Sequence, residues 1–332
     1  MKKIIKYIFL FLILGLVYVV YTSYPKLNII TGFSAKSAAS GVFLAKRTLE
    51  SVEKGDNDFS PISKAENKVD ISDQSVTSEI YGQMKRKAIF VDGLGAILIN
   101  DDFDPKQQFE IPKRNKVTKN IPFPYGSLPQ IDNDFVNIDY KALQIAVDNA
   151  FDIGEEKSKR SRSVLVVYKD QIIAEKYADG FDENTLMLGW SMTKSIAATM
   201  YGILQKKGLI DINSVTGIPE WQKDDRKNIT YNDLLHMNSG LEWEEDYFSL
   251  SDVSKMLFLE TDMGKVQLNK PLAGKPNETW NYSSGTTNLL SGYLLRQQFK
   301  THQEYLDFWY AELLIKLECI RLLLNLILPV IM

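Results

Sequence analysis

Ser191 and Lys194 are the residues of this chain whose types and spacing could do chemistry together. Three positions apart at the start of a helix, they fall on one face of its first turn. A serine hydroxyl is a poor nucleophile at neutral pH. A lysine amine accepts its proton only when the amine is neutral, a state that burial and the positive end of a helix both favour. Ser191-Met-Thr-Lys194 therefore reads as an S-x-x-K acyl-transfer pair. The bland alternative is a serine N-cap followed by a solvated lysine. Spacing alone does not decide, because Ser23-Tyr-Pro-Lys26 and Ser51-Val-Glu-Lys54 share it in a membrane-proximal segment and a polar linker. Context does: Leu188-Gly-Trp leads into a segment with Ile196, Met200, Ile203 and Leu204 at helical spacing, and Gly208 stops it.

A second constellation is Trp280-Asn-Tyr-Ser-Ser-Gly-Thr-Thr-Asn288, just before the apolar Leu289-Leu290. It places Tyr282 at a loop end with its phenol free to point into a cleft, against the plainer reading of a half-buried core tyrosine. Between the two lie Asn228-Ile-Thr to Gly240, where Thr230 or Asn232 can cap a short helix ended by Gly240, and the acidic, aromatic loop Glu242-Trp-Glu-Glu-Asp-Tyr247. His236 on that short helix reads as a packed or capping histidine. Upstream, Asp139 to Phe151 has helical periodicity, and Ser163–Tyr168 with Gln171–Tyr177 read as a β-hairpin around Lys169-Asp170. Lys87–Val91 and Ala96–Ile99 read as strands around Asp92-Gly-Leu-Gly95, without the spacing of a phosphate-binding loop. The proline-rich Ile121 to Pro129 marks a boundary between an N-terminal extension and a catalytic domain.

The chain has 332 residues, 45% hydrophobic and 24% charged, with a formal net charge of -3. That balance implies no nucleic-acid partner, and Lys85-Arg-Lys87 reads as a solvated strand edge. A single cysteine, Cys319, rules out an intramolecular disulfide and a cysteine-based zinc site. With only two histidines besides, His236 and His302, no cofactor or catalytic metal is expected, although composition leaves carboxylate-only sites open. Ile4 to Val20 is apolar apart from Lys6 and follows Lys2-Lys3, which fits an uncleaved signal anchor or, alternatively, a cleaved signal peptide. The domain beyond it is expected to face the periplasm or exterior. The stretch from Thr31 to Lys46 reads as a membrane-proximal helix or linker, and Ser51 to Ser78 as a surface or extended segment.

In order along the chain, Tyr177-Ala-Asp-Gly-Phe181, Gly189-Trp-Ser-Met-Thr-Lys-Ser195, Asn228-Ile-Thr to Met237-Asn-Ser-Gly-Leu241 and Trp280 to Leu290 resemble blocks of the serine β-lactamase and penicillin-binding-protein superfamily. Within it the chain is similar to the class C β-lactamase-like serine hydrolases, a group of esterases, D-amino-acid peptidases and aminohexanoate-oligomer hydrolases. The resemblance covers roughly Asp139 to Leu313. It implies an α+β fold, a β-lactamase/transpeptidase-like antiparallel sheet flanked by helices with a mainly helical subdomain. It implies an exported hydrolase that forms an acyl-enzyme on a small-molecule or peptide-like amide, ester or β-lactam substrate. Ser191 would be the nucleophile, Lys194 its proton acceptor and Tyr282 the shuttle to the leaving group, with Tyr247 and Ser284 contacting substrate. The backbone N–H of Ser191 would supply half an oxyanion hole. Rival readings are a Ser-His-Asp hydrolase using His302, a membrane-anchored binding protein, and a catalytically dead, truncated homologue. Gly189-Trp-Ser-Met-Thr193 lacks the second glycine of a nucleophile elbow, which weighs against the first.

The expected organisation is thus 1–24 as signal anchor or signal peptide, 25–135 as extension and linker, 136–313 as a partial hydrolase domain and 314–332 as a tail in a displaced reading frame. The superfamily's third motif, Lys or His followed by Thr/Ser-Gly, is absent after Leu290. Leu313 to Met332 is a leucine-isoleucine run whose Lys316, Glu318, Arg321 and Pro329 make a poor membrane helix. Back-translated with suitable codons and read from the third base, the run gives FDKIGMHSAFVELDPAGNY, a globular peptide similar to the block that follows in these hydrolases. The gene checks this: downstream DNA is expected to continue the hydrolase in another frame, and DNA without such a continuation refutes the displaced tail.

Overall fold

The computed structural model describes residues 2–100, 103–114, 119–123, 125–154 and 159–317. The expected displaced tail lies outside these from residue 318 onward. The described residues form two compact units, 2–112 with 189–306, and 113–188 with 307–317. Both contain helices and antiparallel strands.

The first unit starts with helix α1 (Lys2–Ala39), whose two halves have opposite surroundings. Tyr7 to Val20 is apolar and exposed. It belongs to a helical span, Lys6–Leu44, with a mean hydropathy of 2.0 over its most apolar window, none of it buried. This helix is long and apolar enough to cross a membrane. The other half is core: Ala35, Ala38 and Ala39 are fully buried against Val76, Ala88 and Ala96. The small residues from Ser34 to Gly41 are therefore a packing face, where side chains without bulk let the helix lie close on a sheet. A π-helical turn, Ser40–Leu44, follows α1. There a Cβ on Gly41 would lie 2.2 Å from Val52 on α2 (Leu49–Gly55), so only glycine permits the approach. The sheet is an antiparallel meander in the order β1 (Glu66–Asp70), β2 (Ser75–Ile80), β3 (Gln83–Val91), β4 (Gly95–Leu98). The turn expected at Asp92-Gly-Leu joins β3 to β4, with Gly93 at φ +83°. Polar side chains under α1 are paired: Ser34 Oγ donates to Asn67 Oδ1 at 2.8 Å and accepts from Asn57 Nδ2 at 3.2 Å.

Arg86 on β3 is not a solvated edge residue. Its guanidinium donates to Asn28 Oδ1 (3.0 Å), Asn100 Oδ1 (2.6 Å) and the backbone oxygen of Phe258 (2.9 Å). One planar fork thereby ties α1, the segment just after β4 and a helix more than a hundred residues later.

The second unit holds α3 (Tyr140–Asn149) and the hairpin of β5 (Ser163–Tyr168) and β6 (Gln171–Tyr177), both where the sequence puts them. Asp139 caps α3 by accepting from Ala142 N at 2.9 Å. Lys169 and Asp170 both take positive φ, 46° and 62°, the turn whose twist matches paired strands.

The chain then returns to the first unit with α4 (Thr193–Lys206), α5 (Tyr231–Leu235), α6 (Asp252–Phe258), α7 (Met263–Val266), α8 (Ser284–Asn288) and, reaching its edge, α9 (His302–Trp309). Helix α4 buries Ala197, Met200, Tyr201 and Leu204, and Gly208 at φ +70° follows its end. The Tyr201 hydroxyl donates to the backbone oxygen of Leu290 at 2.8 Å, fixing α4 to the turn after α8. Thr230 caps α5 in a reciprocal pair with Asp233, as its sequence suggests. The helix stops at Leu235, short of Gly240, because Met237 takes φ 60°.

Replacing Arg86 with alanine strands two side-chain oxygens and a backbone carbonyl, and is expected to cost about 2–4 kcal/mol of stability. Lys85→Ala, which breaks a 3.2 Å surface pair with Glu79, is expected to cost under about 1 kcal/mol. Chemical denaturation of the two variants beside the wild type measures the difference, and equal losses would refute the tie.

Candidate active site

The turn that carries Ser191 is built from both ends. Trp190–Met192 forms a single 3₁₀ turn that runs directly into α4, so Ser191 sits at a helix entrance and Lys194 one turn further on. Trp190 holds φ 40°, a conformation that a bulky residue keeps only when its surroundings impose it. Phe33 of α1 stacks on its ring at 6.1 Å with the planes 13° apart. Phe33 in turn meets Phe59 edge-on at 5.5 Å and Phe258 at 5.6 Å. The packed half of α1 therefore supports the residue before Ser191.

The second segment is positioned by the block that follows α5. Met237 accepts from Asn281 N at 2.8 Å through its backbone oxygen, and from Ser283 N at 3.2 Å through its sulfur. Asn281 Nδ2 donates to the backbone oxygen of Trp243 at 3.1 Å. Ser283 caps α8, accepting from Thr286 N at 2.9 Å. A Cβ at Gly240, which has φ +74°, would lie 2.3 Å from the Gly274 oxygen, so this crossing of two loops requires glycine.

These elements bring the sequence candidates together. Lys194 Nζ lies 3.0 Å from Ser191 Oγ and 3.0 Å from Ser284 Oγ, and 4.8 Å from the ring centre of Tyr282. Ser191 is exposed, Lys194 and Tyr282 are half-buried, and Ser284 is 8% exposed. Tyr282 is half-buried and not part of the fully buried core. It presents its ring face to Lys194, while its other neighbour is the Trp280 ring at 6.4 Å. Tyr247 joins the group through a 3.5 Å contact with Ser284 Oγ and a 2.7 Å hydrogen bond to Glu245 Oε1. Burial first, and then that hydrogen bond, push its phenol up to about 12, so it is a neutral donor at physiological pH.

Sequence reasoning missed Glu245. Its carboxylate also accepts from the Ser284 N–H at 2.9 Å, from the Ser284 hydroxyl and from the Trp243 indole. The only sequence signal was an acid in a loop that holds three others. Neither histidine joins Ser191. His236 Nδ1 lies 3.0 Å from the Asn232 oxygen, and His302 meets the Tyr305 ring at 5.7 Å with the planes tilted by 32°, where burial and then Arg296 push its imidazole down to about 4. Among the described residues no cluster of carboxylates, histidines or cysteine suited to a metal ion occurs.

A serine and a lysine in contact at a helix entrance, with a second hydroxyl and a tyrosine ring on the same amine, is the pattern on which the comparisons bear. The beta-lactamase family profile matches residues 147–325, more than half of the chain. The chain belongs to the beta-lactamase family. The match takes in Ser191, Lys194, Tyr247, Tyr282 and Ser284, and it runs past Leu313 to residue 325. Among solved structures, a candidate 6-aminohexanoate-dimer hydrolase from Bacillus anthracis aligns with 15% identity and a TM-score of 0.41, covering 52% of this chain. The chain spans 46% of the length of that protein. No curated protein sequence matches.

At Gly285, between Ser284 and Thr286, a Cβ would fall 2.5 Å from both Gln267 Oε1 and the Trp243 ring. That ring is wedged among Val253, Met256 and Met263. Gly285→Ala is therefore expected to destabilise the fold by about 1–3 kcal/mol. Gly202→Ala on α4, where nothing lies within 4 Å, is expected to stabilise it by up to about 1 kcal/mol. Thermal unfolding of the pair reads both signs, and a stabilising Gly285→Ala would refute the close packing.

Proposed function

We propose that this chain is a serine hydrolase that forms an acyl-enzyme at Ser191. The observation that carries the reading is the double contact of Lys194 Nζ with Ser191 Oγ and Ser284 Oγ at 3.0 Å each, in a chain of the beta-lactamase family. Ser191 Oγ attacks the carbonyl carbon of an amide, ester or β-lactam, and its proton passes to the neutral amine of Lys194. The tetrahedral oxyanion that results is met by the backbone N–H of Ser191, at the positive end of α4. Expulsion of the amine or alkoxide breaks the second bond, and the leaving group takes up the proton by way of Tyr282, beside Lys194. Water then attacks the acyl-enzyme by the same route in reverse, releasing acid and free Ser191. Tyr247 and Ser284 border the substrate. Membrane anchoring through the exposed apolar half of α1, with the hydrolase outside the cytoplasm, completes the reading. It is supported by the length and hydropathy of that helix and by Lys2 and Lys3 before it.

Ser191→Ala is expected to abolish hydrolysis and labelling by a fluorophosphonate or penicillin probe. Lys194→Ala and Tyr282→Phe are each expected to lower turnover about 10²–10⁴-fold, the usual cost of losing a proton-transfer group. A Lys194→Ala variant with near-normal turnover refutes the assignment of the base.

A further inference from the structure

The Glu245 carboxylate is saturated in a way that bears on Lys194. An ionised carboxylate offers about four lone-pair directions, and here each has a donor. Oε1 accepts from the Ser284 and Tyr247 hydroxyls, and Oε2 from the Trp243 indole and the Ser284 N–H. With every acceptor position taken, Glu245 is in no position to act as a base itself. Two of its three partners are enclosed, Trp243 at 6% and Ser284 at 8% exposed, and Glu245 itself is half-buried.

We propose that Glu245 is a positioning residue that fixes the direction of the Ser284 hydroxyl and, through it, aims the Lys194 lone pair at Ser191. A hydroxyl has one hydrogen to give. Ser284 gives it to a charged acceptor, a stronger bond than any neutral neighbour offers, so its oxygen faces Lys194 only as an acceptor. To accept the Ser191 proton, the Lys194 amine has to carry two N–H bonds and one lone pair. One N–H is then directed to Ser284 Oγ at 3.0 Å, and the lone pair is left for the hydroxyl of Ser191, also at 3.0 Å. Were the Ser284 hydrogen released, it would turn to the lone pair that has to take the Ser191 proton. The two serines would then compete for one acceptor, and attack would slow without any change in the shape of the site.

Glu245→Gln is the matching test because it keeps the shape and reverses one arm. With its oxygen toward Trp243 and the Ser284 N–H, its amide nitrogen donates to Ser284 Oγ and frees that hydroxyl's hydrogen. The proposal rests on the serine-hydrolase reading, so the experiment reports on both. The purified full chain in detergent is titrated with a fluorophosphonate, separating the limiting labelling rate of Ser191 from the half-saturating probe concentration. Glu245→Gln is expected to lower the limiting rate at least about tenfold, within the range for impaired proton transfer, and to leave half-saturation within about twofold. Glu245→Asp, which keeps the charge but draws the oxygens back by one methylene, is the second variant and is expected to act in the same direction. In a Ser284→Ala background, Glu245→Gln is expected to add less than about a twofold loss, because the hydroxyl it acts through is gone. A folded variant of either kind that labels at the wild-type rate overturns the proposal. So does a Glu245→Gln loss that multiplies fully with that of Ser284→Ala, the mark of a merely structural role. A wild type whose Ser191 does not label at all overturns the hydrolase reading and this proposal with it, whereas a labelled wild type with unaffected Glu245 variants overturns this proposal alone.

Discussion

One nitrogen holds the site together. Lys194 Nζ touches Ser191, three residues before it, and Ser284, ninety residues after it. An amine on a flexible four-carbon stem reaches both only if its own helix and α8 stay in register. That register is held away from the chemistry, by the Tyr201 hydroxyl on the Leu290 carbonyl and by Met237 beneath Asn281 and Ser283. The ring face of Tyr282 lies against the same amine, 4.8 Å from its nitrogen.

The parts legible in the sequence are those whose cause is local. The hairpin β5–β6 follows from two β-rich runs around a two-residue turn, α4 from its apolar spacing and Gly208, and α5 from the Thr230 cap. Ser191, Lys194, Tyr282 and Ser284 lie in recognisable blocks and Tyr247 is placed only by the position of its loop, and the structure brings these five together around one amine and one carboxylate. What stayed hidden depends on partners far along the chain. Phe33 supports Trp190 across more than a hundred and fifty residues, and Arg86 reads as one of three surface cations until its acceptors are known. Glu245 is the sharpest case. Nothing separates it in composition from Glu242, Glu244 or Asp246, and only the Ser284 N–H and the Trp243 ring single it out. The length of α5 was overestimated for a related reason: Met237 leaves the helical region to serve the second segment, a demand that its own neighbours in sequence do not announce.

Two strained residues flank the candidate site. Trp190 and Met237 both hold positive φ, each immediately beside a residue or contact of the site, and each costs on the order of 1–3 kcal/mol relative to a relaxed backbone. The compensation is structural and distributed: aromatic stacking through Phe33 at the first, and two hydrogen bonds through one methionine at the second. The same logic explains why Gly240 and Gly285 sit at the tightest crossings, where a single carbon would push Gly274 or Trp243 aside.

Helix α1 has a mechanical consequence. Its exposed apolar half and its buried alanine half belong to one helix, with Pro25 inside it where the two meet, so the unit carrying Ser191 is joined to the apolar half by helix and not by a flexible linker, and any bend is expected at that proline. A flexible tether would let the reacting serine sample a wide shell of heights and tilts, whereas a helix advances about 1.5 Å per residue and bends little. From Tyr24, where the exposed stretch ends, to Phe33, which stacks on Trp190, the rise is about 14 Å. With the apolar half in a bilayer, the short helical stretch beyond Pro25 would hold the site at a level close to the headgroups. Its catch would then be set by what is present at that level: molecules held at the membrane surface would meet it far more often than molecules dissolved in the bulk.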